Sequence, residues 1–194
     1  MYSNFPYQII LASASPRRKE LLSQLGFSFK VEIRPVDETI IIGKSPLEMA
    51  IMIAQEKLEA FDIKEYQNPT LIITADTIVS IKNTVLGKPK NVLEAKQMLR
   101  ELSGRKHKVI TAVCIKTASI QETFYDETDV EFSSISDHEI DYYIQEFNPL
   151  DKAGSYGIQD WIGVGFIHSI KGSYTNVVGF PTEIVRRKLL GIIS

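Results

Sequence analysis

The chain has 194 residues, 44% of them hydrophobic and 24% charged, and a formal net charge of −2. That length holds one sizeable α/β domain or two lobes sharing one sheet. The near-neutral balance gives no broad basic field for nucleic acid, so any anion binding has to come from a local cluster. The single cysteine, Cys114, excludes an internal disulfide and offers no redox or zinc motif. Its apolar setting, "TAVCIKT", predicts a buried thiol. The opening "MYSNFPYQII" lacks the basic region and long apolar core of a signal peptide. No run approaches the ~20 apolar residues that cross a membrane. The expected location is the cytoplasm.

In chain order, "YQIILAS" (7–13) is a continuous apolar run and predicts a buried strand. A helix follows: Ser15 suits the N-cap, Pro16 the first helical position, Leu21, Leu22 and Leu25 form an apolar stripe, and Gly26 can end it. "FSFKVEI" (27–33) alternates as a second strand, and "RPVDETIIIGK" (34–44) is a loop carrying Asp37 and Glu38. Ser45, Pro46 and Glu48 spell a capping box for a helix to about Phe61. "TLIITADTIVSI" (70–81) is the strongest strand, followed by the loop "GKPKN" (87–91). Asn91 with Glu94 opens a helix ending at Gly104. "HKVITAVCIKT" and "QETFYDETDVEFS" predict two long adjacent strands, and Ser136 with Glu139 caps a helix to about Phe147. "NPLDKAGSYGIQ" is loop-rich, "GFIHSIKGSYTNVVG" suggests a hairpin or loop, and a last helix starts near Pro181. Intermixed helices and long central strands predict an α/β or α+β fold on a mixed sheet. Neither a dinucleotide-binding nor a Walker-type glycine loop is present.

Several residues resist a purely structural role. Arg17, Arg18 and Lys19 crowd a helix start, where the dipole already carries partial positive charge and each cation costs a few tenths to about 1 kcal/mol. Asp76 interrupts an apolar strand; it either sits at a bulge or strand end bonded to backbone amides, or serves as a base or metal ligand. Lys57 lies at the edge of its helix's apolar stripe, either laying its stem along that surface or aiming an ammonium into a cleft. "GKPK" sets Lys88 and Lys90 on a proline-stiffened loop. "LDKAGSYGIQ" supplies Asp151, Lys152, Ser155, Tyr156 and Gln159 beside glycines that admit an anion to backbone amides, although a structural turn explains it equally. Gln159 has the donor and acceptor that reading a base edge needs. His107, His138 and His168 show no metal-ligand spacing. Together, the cations and the carboxylates Glu38 and Asp76 suit a triphosphate chelated by a divalent ion, and a triphosphate bound at the first helix start makes its unfavourable charges favourable.

The stretch "LASASPRRKELLSQLGF" resembles the signature of the Maf family, which act as nucleoside triphosphate pyrophosphatases. The resemblance continues through "ADTIV", "LGKPKN", "EAKQMLRELSGRKHKVITAV", "DKAGSYGIQ" and "GSYTNVVGFP", in order along nearly the whole chain. It implies a single domain over residues 1–194, a mixed α/β fold related to the inosine triphosphate pyrophosphatases, with two lobes around an elongated sheet and a deep cleft between them. It implies that Asp76 accepts the proton, that Arg18, Glu38, Lys57, Lys88 and Lys152 line the phosphate and metal site with Ser13 beside them, and that Glu38 and Asp76 share Mg2+ or Mn2+. Arg17, Thr77 and Gln159 match the subfamily that prefers dTTP and UTP. Expected partners are therefore a nucleoside triphosphate and a divalent cation, with no nucleic acid and no membrane; a homodimer is compatible by analogy. The competing expectation is a non-catalytic nucleotide sensor linked to cell division.

Overall fold

A computed structural model describes Tyr2 and residues 5–36 and 43–193. Its centre is β3 (Thr70–Ile81), whose apolar run buries nearly every side chain on both faces. β1 (Gln8–Leu11) lies parallel to β3, pairing Gln8 to Leu11 with Thr70 to Ile73, and β2 (Phe29–Val31) lies parallel to β1. Each parallel step needs a crossover. The first is made by α1 (Pro16–Gln24), the second by α2 (Pro46–Glu59). On the other side of β3, β5 (Lys106–Lys116), β6 (Gln121–Phe132) and β7 (Ile167–Lys171) continue the sheet antiparallel. The mixed sheet expected from the long central strands is present.

Local signals fix where the helices start. Ser15 accepts from Arg18 N, with Pro16 at the first helical position of α1. Ser45–Glu48 closes both arms of a capping box on α2, and Ser136–Glu139 does so on α4 (Asp137–Phe147). Asn91 caps α3 (Val92–Leu102) through Glu94 N at 2.9 Å. A serine, threonine or asparagine cap of this kind contributes about 1 kcal/mol.

Four short elements sit between the expected ones. β3 turns at Lys82 and Asn83, both at positive φ (47° and 66°), into β4 (Thr84–Leu86), which pairs back on β3 from Val79 to Ile81. The segment "GFIHSIKGSYTNVVG" (165–179) is neither a simple hairpin nor a loop: it begins at the end of α5 (Trp161–Phe166) and then forms β7 and α6 (Tyr174–Val178). The last helix, α7 (Thr182–Gly191), starts where Pro181 predicts.

The sheet is covered on both faces. Ile10, Ile72, Ile78, Ile110, Ala112 and Cys114 pack under Met49, Ala50, Ile53 and Ala54 of α2, which buries the Cys114 thiol as expected and pushes its pKa up. The opposite face is covered by Leu21, Leu22, Val185 and Leu189 of α1 and α7 over Leu71, Ile73 and Ala75, and by α3 and α4 over Val79, Ile81 and Val109. Among the described residues, no helix is long and apolar enough to cross a membrane.

One consequence of this topology positions the site. β1 and β4 pair with the same edge of β3 but do not meet: β1 pairing stops at Ile73 and β4 pairing starts at Val79. Residues 74–78 therefore face an interruption in the sheet.

Candidate active site

The interruption opens into a cavity of about 490 Å³, within the range of small-molecule sites. In a continuous sheet, successive side chains of a strand point to opposite faces and cannot share a pocket. Here they do. Asp76 leaves β3 on the α2 side, Thr77 on the other, and both line the cavity.

Asp76 is 8% exposed, in the middle of an unbroken pairing of β3 with β5, opposite Ala112. It is neither at a bulge nor at a strand end, which removes the ordinary structural reason for an Asp in a strand. Its partner comes from α2: Lys57 Nζ donates to Asp76 Oδ1 at 2.8 Å, with the two side chains only 14% and 11% exposed. Lys57 thus aims its ammonium into the cleft. Asp76 Oδ2 has no hydrogen-bond partner among the described residues.

Across the interruption, Arg18 stands in the place of a missing strand. Its Nη1 donates to Ala75 O at 2.9 Å and to Ser13 Oγ at 3.2 Å, its Nη2 to Thr77 Oγ1 at 2.9 Å, and its Nε to Gly179 O at 2.9 Å. Gly179 is at φ +113°, and a Cβ there would lie 3.3 Å from Thr77 Oγ1. A glycine lets the 173–179 turn bring its carbonyl against the guanidinium. Arg17 and Lys88 also line the cavity.

The segment after α4 closes the opposite wall. Gly154, at φ +67°, lies so close to β3 that a Cβ would fall 2.8 Å from Val79 Cγ1. This approach sets Lys152 and Tyr156 on the wall. Lys152 Nζ lies 2.8 Å from Asp151 Oδ1 and 3.7 Å from Asp160 Oδ2. Burial alone would push Asp151 up, but the Lys152 ammonium, with Arg17 further off, outweighs it and holds the carboxyl below its usual range. Tyr156 is buried against His107, whose Nε2 lies 2.7 Å from the Tyr156 hydroxyl, and desolvation pushes the phenol up and the imidazole down to about 4.

The structure therefore gathers Ser13, Arg17, Arg18, Lys57, Asp76, Thr77, Lys88, Lys152 and Tyr156 around one space. It does not gather two others. Ser155 is fully buried and turned into the core, donating to Met98 Sδ at 3.1 Å, and Gln159 is exposed and outside the lining. Glu38, with Asp37 and the rest of 37–42, lies outside the described residues.

Arg34 also lines the cavity and has no counterpart in the sequence reading. Its guanidinium stacks 4.5 Å over Phe61, donates to Ala60 O at 2.8 Å, and is tied to Glu32 and Glu65. It fastens the exit of β2 to the end of α2. An Arg beside a Pro in a loop carries no local sign of this, because Ala60, Phe61 and Glu65 belong to a distant segment of the chain.

A family model described as Maf-like protein matches residues 8–192. The chain belongs to the Maf-like family. A dTTP/UTP pyrophosphatase from Phocaeicola vulgatus is 50% identical to this Maf-like chain over 179 residues, which is 91% of this chain and 92% of that protein. A dTTP/UTP pyrophosphatase from Flavobacterium psychrophilum is 47% identical over 183 residues, covering 94% and 93%. Among solved structures, a HAM1 protein from Coxiella burnetii matches with a TM-score of 0.56 over 95% of this chain and 99% of its own; at 13% identity the likeness is one of fold.

Proposed function

We propose that this Maf-like protein hydrolyses dTTP and UTP to the nucleoside monophosphate and pyrophosphate. One observation carries the reading: a buried carboxylate with an open oxygen, Asp76, faces the same cavity as Arg17, Arg18, Lys57, Lys88 and Lys152. A cavity so rich in cations suits a polyanion, and the carboxylate is what a simple phosphate-binding site would not need. The two curated relatives, named for dTTP/UTP pyrophosphatase activity over nearly the whole chain, supply the substrate class.

In this reading the triphosphate lies among Arg18, Lys57, Lys88 and Lys152. These cations offset the charge that builds on the α-phosphoryl group and the departing pyrophosphate. A water next to Asp76 Oδ2 attacks the α-phosphorus, and Asp76 takes its proton. Lys57, bonded to Oδ1, fixes the carboxylate so that Oδ2 faces the water. Arg17 and Thr77 contact the nucleoside end.

The open Asp76 oxygen is a hard donor of the kind Mg2+ or Mn2+ takes. Among the described residues no group of three acidic, His or Cys side chains converges. Asp76 and Glu38 would hold it, and it would supply further neutralisation of phosphate charge.

The test is pyrophosphate release from UTP and dTTP with magnesium or manganese, comparing wild type with Asp76→Asn. A general base contributes about 10²–10⁴ in rate, so the variant is expected to lose at least about 10²-fold while binding substrate and remaining folded. Near-normal release by Asp76→Asn rejects Asp76 as the base. Substrate binding without turnover in the wild type would favour a nucleotide sensor instead.

A further inference from the structure

Arg18 is held by a hydrogen-bond chain that leads away from the cavity, and acceptor-only groups fix the direction of its bonds. Thr77 Oγ1 accepts from Arg18 Nη2 and lies 3.1 Å from Thr111 Oγ1. Thr111 Oγ1 lies 3.0 Å from the backbone carbonyl of Asn176, which can only accept. With Thr111 donating to that carbonyl and Thr77 donating to Thr111, both contacts are hydrogen bonds. The reverse polarity would leave the Thr111 and Asn176 oxygens facing each other at 3.0 Å without a proton between them. The Thr77 proton is therefore committed inward, and its oxygen is an acceptor toward Arg18 and the cavity.

The second hold on Arg18 returns to the same place. Arg18 Nε donates to Gly179 O, and the N–H of Gly179 donates to Asn176 O at 2.9 Å. The Gly179 N–H is shared with Thr175 O at 3.2 Å, and the Asn176 carbonyl is the point where the Thr77–Thr111 chain and the Gly179 turn meet. The Asn176 side chain in turn pins that carbonyl: Nδ2 donates to Val109 O at 3.0 Å and Thr128 Oγ1 at 2.9 Å, across two strands. Asn176 is 0% exposed, and its Oδ1 has no hydrogen-bond partner. An Asn that leaves one buried oxygen unsatisfied is placed for its two donors. Neither Thr111 nor Asn176 lines the cavity.

We propose that Thr111 and Asn176 are positioning residues that hold the Arg18 guanidinium square to the cavity, so that its grip on substrate phosphate depends on two residues the substrate does not touch. The proposal rests on the pyrophosphatase reading for its substrate, but not for its geometry.

The test is a cycle of Thr111→Val and Arg18→Lys, with Thr111→Ser as the conservative control. Thr111→Val keeps the shape and removes the relay. It is expected to lower kcat/KM for UTP about tenfold, mostly through KM, while the melting transition stays cooperative. Thr111→Ser is expected to stay within about twofold of wild type. In the Arg18→Lys background, Thr111→Val is expected to add less than about twofold, because the group it positions is gone. A second readout needs no turnover: the Arg18 Nε–H proton resonance, identified by its loss in Arg18→Lys, is expected to be protected from exchange in wild type and to lose that protection in Thr111→Val. Should Thr111→Val fail to fold, Asn176→Ser carries the same expectations. Effects of Thr111→Val and Arg18→Lys that simply multiply, or an unchanged resonance, overturn the proposal. A wild type that releases no pyrophosphate rejects the functional reading alone, and the resonance then decides the relay by itself.

Discussion

Replacing Lys57 by Met removes the ammonium from Asp76 while keeping most of the aliphatic stem. The two groups lie 2.8 Å apart and are 14% and 11% exposed, so solvent replaces little of what is lost. Breaking a fully buried pair from one side costs about 3–5 kcal/mol, because the remaining charge is stranded. The opening of the cavity beside Asp76 lowers that, and about 2–3 kcal/mol is expected for Lys57→Met. Asp76→Asn removes the stranded charge, so the double variant is expected to recover about 2 kcal/mol of the loss relative to the sum of the single changes. Urea unfolding of the four proteins at one pH gives the cycle directly. The pairing of Lys57 with Asp76 is refuted as a source of stability if Lys57→Met costs less than about 0.5 kcal/mol, or if the single changes add without coupling. Either result would mean that water, not Lys57, carries the Asp76 charge.

Two further outcomes follow from other parts of the fold. Burial pushes the native His107 pKa from 6.5 down to about 4. Its neutral form therefore stabilises the protein fully above pH 6.5, and this contribution is lost as pH falls toward 4, by about 3 kcal/mol in total. Urea midpoints of wild type and His107→Gln across that window should show a shallower slope in the variant; equal slopes would remove His107 from the account. Gly154→Ala places a methyl 2.8 Å from Val79 Cγ1 at φ +67°, and a cost of about 2–4 kcal/mol is expected from backbone strain and overpacking. A thermal shift of a degree or less would show that the segment carrying Lys152 can slide off β3.

What the residues declared on their own was local or periodic. The caps at Ser15, Ser45, Asn91 and Ser136 satisfy orphan amides within one turn, so their identity is enough to place each helix start. The apolar run of β3 and the oddity of Asp76 within it are visible for the same reason: a buried charge conflicts with its immediate neighbours. The ordered motifs carried the family. β4, β7, α5 and α6 escaped because three to six residues are too few to display a period.

Only the tertiary structure decided that β1 and β4 stop short of each other on one edge of β3, letting Asp76 and Thr77 share a cavity from opposite faces. It also decided that Lys57 pairs with Asp76 rather than lying along the surface, that Ser155 turns inward and Gln159 stays outside, and that Arg34, Thr111 and Asn176 matter. Each depends on atoms brought together from distant segments, such as Arg18 and Gly179. A short window of sequence records which groups a residue can offer; packing and the pairing of strands determine which of them meet.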